Sequence, residues 1–87
     1  MTVTVVDLGG GSTTAALERA GPDGDVLVVH ESPDRLEELR MTYDSPNVFF
    51  LLGCAEVLPL PDASADEVLG ASASDEAQRE LARVLRA

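Results

Sequence analysis

A short apolar, β-branched run that stops on three consecutive glycines is the feature that most narrows what this chain can fold into. Residues 2–8 have the composition of a buried strand, and Gly9-Gly10-Gly11 breaks it. A strand with little polar alternation suits a parallel sheet, where both faces are covered. Ser12 or Thr13 is then placed to cap a helix reaching about Ala20, with Ala16, Leu17 and Ala20 on one face, and Gly21-Pro22 ends it. Glycine is needed at such a turn where φ must be positive or a ligand must approach the main chain. The turn by itself is explained as well by tight geometry as by ligand binding.

The same grammar continues along the chain. Residues 25–29 predict a second strand, and Ser32-Pro33 supplies a cap and a first-turn proline for a helix to about Tyr43. In that helix Leu36, Leu39 and Tyr43 form the inward stripe, while Glu37, Glu38 and Arg40 face water. After the turn at Ser45-Pro46-Asn47, residues 48–52 predict a third strand and residues 53–64 a loop holding Pro59 and Pro61. Residues 66–71 predict a weaker fourth strand. Ala77, Leu81, Val84 and Leu85 recur at helical spacing over residues 75–86, with Ser74 as cap. The order β-α-β-α-β-β-α predicts one α/β domain over residues 1–87, with about four mostly parallel strands and helices on both faces.

Composition removes several classes of function. Sixteen acidic residues against six basic ones give a formal charge of −10, which opposes nucleic acid and anionic lipid as partners. Cys54 is the single cysteine and His30 the single histidine, so neither an internal disulfide nor a cysteine-based metal cage is expected. No apolar stretch approaches membrane-spanning length, and the first apolar run is too short and lacks the basic flank of a signal peptide. A cytoplasmic location follows as the expectation. A chain of 87 residues buries only roughly 60 to 65% of its unfolded surface, so its stability margin is thin and a partner would help it.

Two families share parts of this pattern. Asp7-Leu8-Gly9-Gly10-Gly11-Ser12 resembles the phosphate loops of the actin, Hsp70 and exopolyphosphatase superfamily. In those proteins a second strand soon forms a hairpin, whereas residues 14–20 here have helix-forming composition, so a small phosphate or nucleotide binder ranks below the next reading. Nearly the whole chain resembles the class I S-adenosylmethionine-dependent methyltransferases of the type 11 and ubiquinone-biosynthesis kind. Residues 7–12 match Asp-x-Gly-x-Gly-x after the first strand, and VVHESPDRL over residues 28–36 matches the second strand, its end and the following helix start. NVFFLLGCAEVLPL over residues 47–60 is similar to the third strand and the loop Gly-Asp-Ala-Glu-x-Leu-Pro-Phe. Residues 61–68 are similar to Pro-Asp-x-Ser-Phe-Asp, and residues 79–86 to the helix before the fifth strand.

The resemblance implies a truncated, Rossmann-like methyltransferase fold and a cofactor site built from Asp7, Gly9, Gly11, His30, Glu31, Cys54 and Ala55, with neighbouring Glu56 in the same loop. It also marks departures. His30 stands where the family has an acid that accepts from both ribose hydroxyls, and a neutral imidazole has one acceptor at most; adjacent Glu31 is the nearest replacement. Cys54 stands where an acid would accept from the adenine amine, and Ala65 where an aromatic would pack. The chain stops before the family's fifth to seventh strands, which leaves no catalytic or acceptor-binding residue to assign and exposes the edge of strand four. These features imply weak or lost S-adenosylmethionine binding and a non-catalytic pseudoenzyme acting as a binding, stabilising or regulatory subunit. Its expected partner is a second copy or a larger protein at the strand-four edge. The alternative is a minimal methyltransferase completed by dimerisation or a partner chain.

Overall fold

The computed structural model describes residues 3–70 and 74–86. Four strands, β1 (Thr4–Leu8), β2 (Asp25–His30), β3 (Val48–Leu52) and β4 (Glu67–Leu69), alternate with three helices, α1 (Thr13–Ala20), α2 (Pro33–Thr42) and α3 (Asp75–Val84). Every pairing is parallel and the sheet order is β3-β2-β1-β4. The ends expected at Thr2 and Ala71 lie outside the described residues.

Alternation along the strands sorts the apolar side chains into two cores. Val5, Val26, Val28 and Val48 point to α1 and α2, where Ala16, Ala20, Leu36 and Leu39 meet them. Val6 and Val29 point to the opposite face, closed by Leu58, Leu60, Ala65 and Val84. Ala65 is fully buried there, so the place where the resemblance called for an aromatic is filled by the surrounding Leu and Val side chains. The helices therefore lie on both faces, as the order of elements predicts.

Local chemistry explains where the element ends differ from expectation. Ser32 and Ser74 cap α2 and α3, accepting from the Arg35 amide at 3.3 Å and the Ala77 amide at 3.2 Å. Tyr43 falls just outside α2, where its amide donates to the Leu39 carbonyl at 2.8 Å and its hydroxyl lies 3.1 Å from Thr14 Oγ1. Strand β4 is shorter than residues 66–71: at its start the Asp66 side chain takes the Thr4 amide, its Oδ2 accepting at 2.8 Å, and past its end Gly70 turns away with φ of 106°. Helix α3 ends at Val84 rather than Arg86. Leu85 is extended and bridges to Ala65, and the Arg86 amide donates to the Ala65 carbonyl at 2.9 Å. This returning segment covers the approach to β4, so the free edge expected over residues 66–71 narrows to the strand itself.

An Arg83–Glu80 clamp holds the proline loop against α3. Arg83 donates to Glu80 at 2.6 Å, to the Leu60 carbonyl at 2.8 Å and to Asp62 at 2.8 Å, while the Leu58 amide donates to Glu80 at 2.8 Å. The hydrogen bonds from Arg83 and from Leu58 hold the Glu80 carboxyl below its usual range. A lowered folded value means that this contribution to stability is complete above the unfolded carboxyl value of about 4.3 and is lost as pH falls through the folded one. Urea unfolding of the wild type and of Glu80→Gln should therefore show a gap in midpoint at neutral pH that narrows below about pH 4. A gap independent of pH would contradict the clamp.

Candidate functional site

The end of β1 is fastened to the start of α1 by one buried carboxylate. Asp7 is fully buried; its Oδ2 accepts from the Thr13 hydroxyl at 2.5 Å and its Oδ1 from the Ser12 amide at 3.3 Å. Ser12 is the cap position of α1 but makes no side-chain cap bond, so Asp7 supplies the acceptor that the helix start requires. Between them Gly9 and Gly10 take φ of 85° and 76°, and a Cβ on Gly10 would collide with the Leu39 side chain. The turn is thus dictated by backbone sign at Gly9 and by both sign and space at Gly10.

A cleft of about 210 Å³ opens beside this turn, at the C-terminal ends of the parallel strands. It is lined by Leu8 and Gly9 from the first strand end, Val29, His30 and Glu31 from the second, and Gly53, Cys54, Ala55 and Glu56 from the third. Two main-chain bonds align its floor, from Gly9 to the Val29 carbonyl at 2.8 Å and from Gly53 to the His30 carbonyl at 3.0 Å. Glu56 on the rim accepts from the Ser74 hydroxyl at 3.1 Å, which ties the lip of the cleft to the cap of α3.

Of the residues that the sequence nominates, Gly9, His30, Glu31, Cys54 and Ala55 share the cleft. Asp7 sits beneath the turn with its carboxylate directed to Thr13, and Gly11 is exposed outside the lining. Sequence reasoning missed Leu8, Val29 and Gly53. Their signal was positional, since each ends or immediately follows a strand of a parallel sheet. The Asp7–Thr13 bond spans six positions and has no local spacing rule that would flag it.

His30 is more constrained than its sequence suggests. The Ser32 amide donates to its Nδ1 at 2.9 Å, so the neutral ring uses its one acceptor inside the protein and carries its proton on Nε2. Toward a ligand it offers a donor. The acceptors left in the lining side chains are the exposed carboxylates of Glu31 and Glu56, and neither Arg nor Lys lines the cleft. That field favours a cation and opposes a phosphate. Residues 13–20 are helical, so the phosphate-loop reading loses its hairpin, and the Asp7 carboxylate already accepts from the Ser12 amide and the Thr13 hydroxyl at the start of α1. Among the described residues no group of His, Cys, Asp and Glu is arranged to hold a metal ion.

If Asp7 organises the turn, Asp7→Ala should lower stability by about 1.5 to 3 kcal/mol, the usual loss for a charge-assisted bond, and Thr13→Val by about 1 kcal/mol. Urea titrations followed by circular dichroism measure both. Losses of less than about 0.5 kcal/mol, ordinary for a surface change, would contradict that role.

The comparisons agree with this geometry. The family described as "Methyltransferase domain" matches residues 6–87. An uncharacterized methyltransferase of Mycobacterium bovis is 43% identical over 90 residues, covering 94% of this chain and 35% of the relative, so the chain spans about a third of that protein. Among solved structures, a putative methyltransferase of Haloferax volcanii, in complex with the methyltransferase activator Trm112, superposes with a TM-score of 0.84 at 32% identity, over 98% of this chain and 41% of that one. A YcgJ protein of Bacillus subtilis gives 0.77 at 30% identity, over 98% and 40%. The parallel sheet, the glycine turn and the family match over residues 6–87 together place this chain in the methyltransferase-domain family of Rossmann-like proteins.

Proposed function

We propose that this chain keeps the place where methyltransferase-family proteins hold S-adenosylmethionine but grips that cofactor weakly, and that it serves as a binding, stabilising or regulatory subunit rather than as a catalyst. The carrying observation is the Ser32 amide on His30 Nδ1, which leaves the residue at the ribose position with a donor and no acceptor. The fit is otherwise favourable. Gly9 lets the main chain approach, Ala55 adds a small apolar wall, and Glu31 and Glu56 provide the negative field that a sulfonium prefers. S-adenosylmethionine, when bound, supplies an activated methyl group; the chain's own residues would orient the nucleoside and shield it. Losing a charge-assisted bond at His30 and another at Cys54, each about 1.5 to 3 kcal/mol, moves a micromolar site toward the millimolar range.

A protein partner fits this role. The Haloferax relative was solved with an activator protein, which supports a partnership here too, and β4 has no second strand beside it among the described residues. A larger partner protein at that edge would complete the sheet. Glu31 favours a second reading, a minimal methyltransferase completed by dimerisation or by a partner, because its exposed carboxylate lines the cleft one residue from the family's acid.

Isothermal titration with S-adenosylmethionine and S-adenosylhomocysteine separates the two. The expected result is binding in the millimolar range or weaker, tightened about tenfold or more by His30→Asp and again by Cys54→Asp. Micromolar affinity of the wild type would overturn the weak-pocket reading in favour of the minimal enzyme. Absence of binding in the double variant would show that the cleft is not the cofactor site.

A further inference from the structure

The sheet has two edges, and they are not equally protected. Strand β4 is three residues long, carries Glu67, and is crossed by the Arg19–Glu67 ion pair at 2.8 Å. Strand β3 is Val-Phe-Phe-Leu-Leu, with no charge, proline or bulge, the features by which proteins normally blunt an edge. Phe49 is 46% exposed and Leu52 59% exposed. The direction of its free main-chain groups follows from the pairing to β2. Asn47 and Gly53 turn inward, the first accepting from Val26 at 2.8 Å and the second donating to His30 at 3.0 Å. By alternation Phe50 and Leu52 turn their N–H and C=O groups outward, as does Val48, whose amide is already held by Ser45 at 3.2 Å.

We propose that β3 is the interface between two copies of this chain, paired antiparallel about a twofold axis at Phe50 so that two four-stranded sheets become one continuous sheet. A strand that pairs with itself this way needs an apolar segment compatible with its own reverse. Centred on Phe50, Val48 meets Leu52 of the second copy on the face covered by α1 and α2, and Phe49 meets Leu51 on the opposite face, so every cross-strand pair is apolar. The spacing of the helices suits the pairing. Helix α2 packs on both β2 and β3. With strands about 4.8 Å apart, two such helices straddling the twofold lie roughly 10 Å apart, near the 8 to 10 Å of packed helices.

Charge selects the same occupant. The groove between α2 and the edge is lined by Pro33, Leu36, Glu37, Arg40, Phe50 and Leu52. In a chain of net charge −10 this groove is balanced, its two charged residues being paired to each other at 2.8 Å. The twofold runs α2 antiparallel to its copy, so each Arg40 comes opposite the other Glu37 and each apolar edge opposite an identical one. An acidic or strongly basic partner would leave one member of the pair unmatched.

Sedimentation equilibrium of the intact chain tests this directly. The wild type should be a dimer. Leu52→Lys, at an exposed position, should weaken dimerisation about tenfold or more without changing the circular dichroism spectrum. Glu37→Arg and Arg40→Glu should each weaken it, and the double exchange should restore it, because the complement across the axis is then rebuilt. A wild type that stays monomeric at its highest soluble concentration would overturn the proposal. So would a dimer indifferent to Leu52→Lys and to both charge reversals. Neither outcome bears on cofactor affinity.

Discussion

The buried carboxylate of Asp7 is the interaction on which the rest of the site depends. It joins the end of β1 to the first turn of α1 through Thr13 and the Ser12 amide, and it does so where α1 has no side-chain cap of its own. With that junction set, Gly9 and Gly10 can take left-handed φ, and Leu39 of α2 can close over Gly10. The cleft then follows from the parallel topology, because three strand ends finish at one level with their loops turned outward.

Strand and helix positions were legible because their signals are local. The β-branched runs, the Ser-Pro start of α2 and the Ser74 cap each state a backbone preference within a few residues. Element ends were less legible, since distant partners decide them. Asp66 gives its side chain to Thr4, and Leu85 leaves the helix to bridge Ala65. The candidate cleft was legible as a neighbourhood, and the contacts of its side chains less so. Five of the nominated residues share the cleft, yet no spacing rule foretold that His30 would bind Ser32 or that Asp7 would face Thr13. Both are side-chain contacts made within a single strand-to-helix turn, where the path of the main chain decides which polar atoms meet. The same holds for the sheet edges: the sequence pattern drew attention to β4, whereas packing leaves the more apolar β3 unprotected.

Membership in the methyltransferase-domain family and the proposed weakening of the cofactor grip are compatible, because they rest on different parts of the chain. The family match rests on the sheet, the glycine turn and the run of motifs over residues 6–87. The grip rests on a few acceptor atoms, and a scaffold can retain the first while losing the second. In the proposed reading the Glu31 and Glu56 carboxylates of the cleft would favour a sulfonium nucleoside over a phosphorylated one.

A titration of the ¹⁵N-labelled chain with S-adenosylhomocysteine, followed residue by residue in amide spectra, shows whether the cleft holds the cofactor and how tightly. Fast-exchange shifts confined to Gly9, Glu31, Gly53, Ala55 and their neighbours are expected, with half-saturation in the millimolar range. Slow exchange with saturation at micromolar ligand, or shifts that avoid the cleft, would contradict weak binding in this cleft.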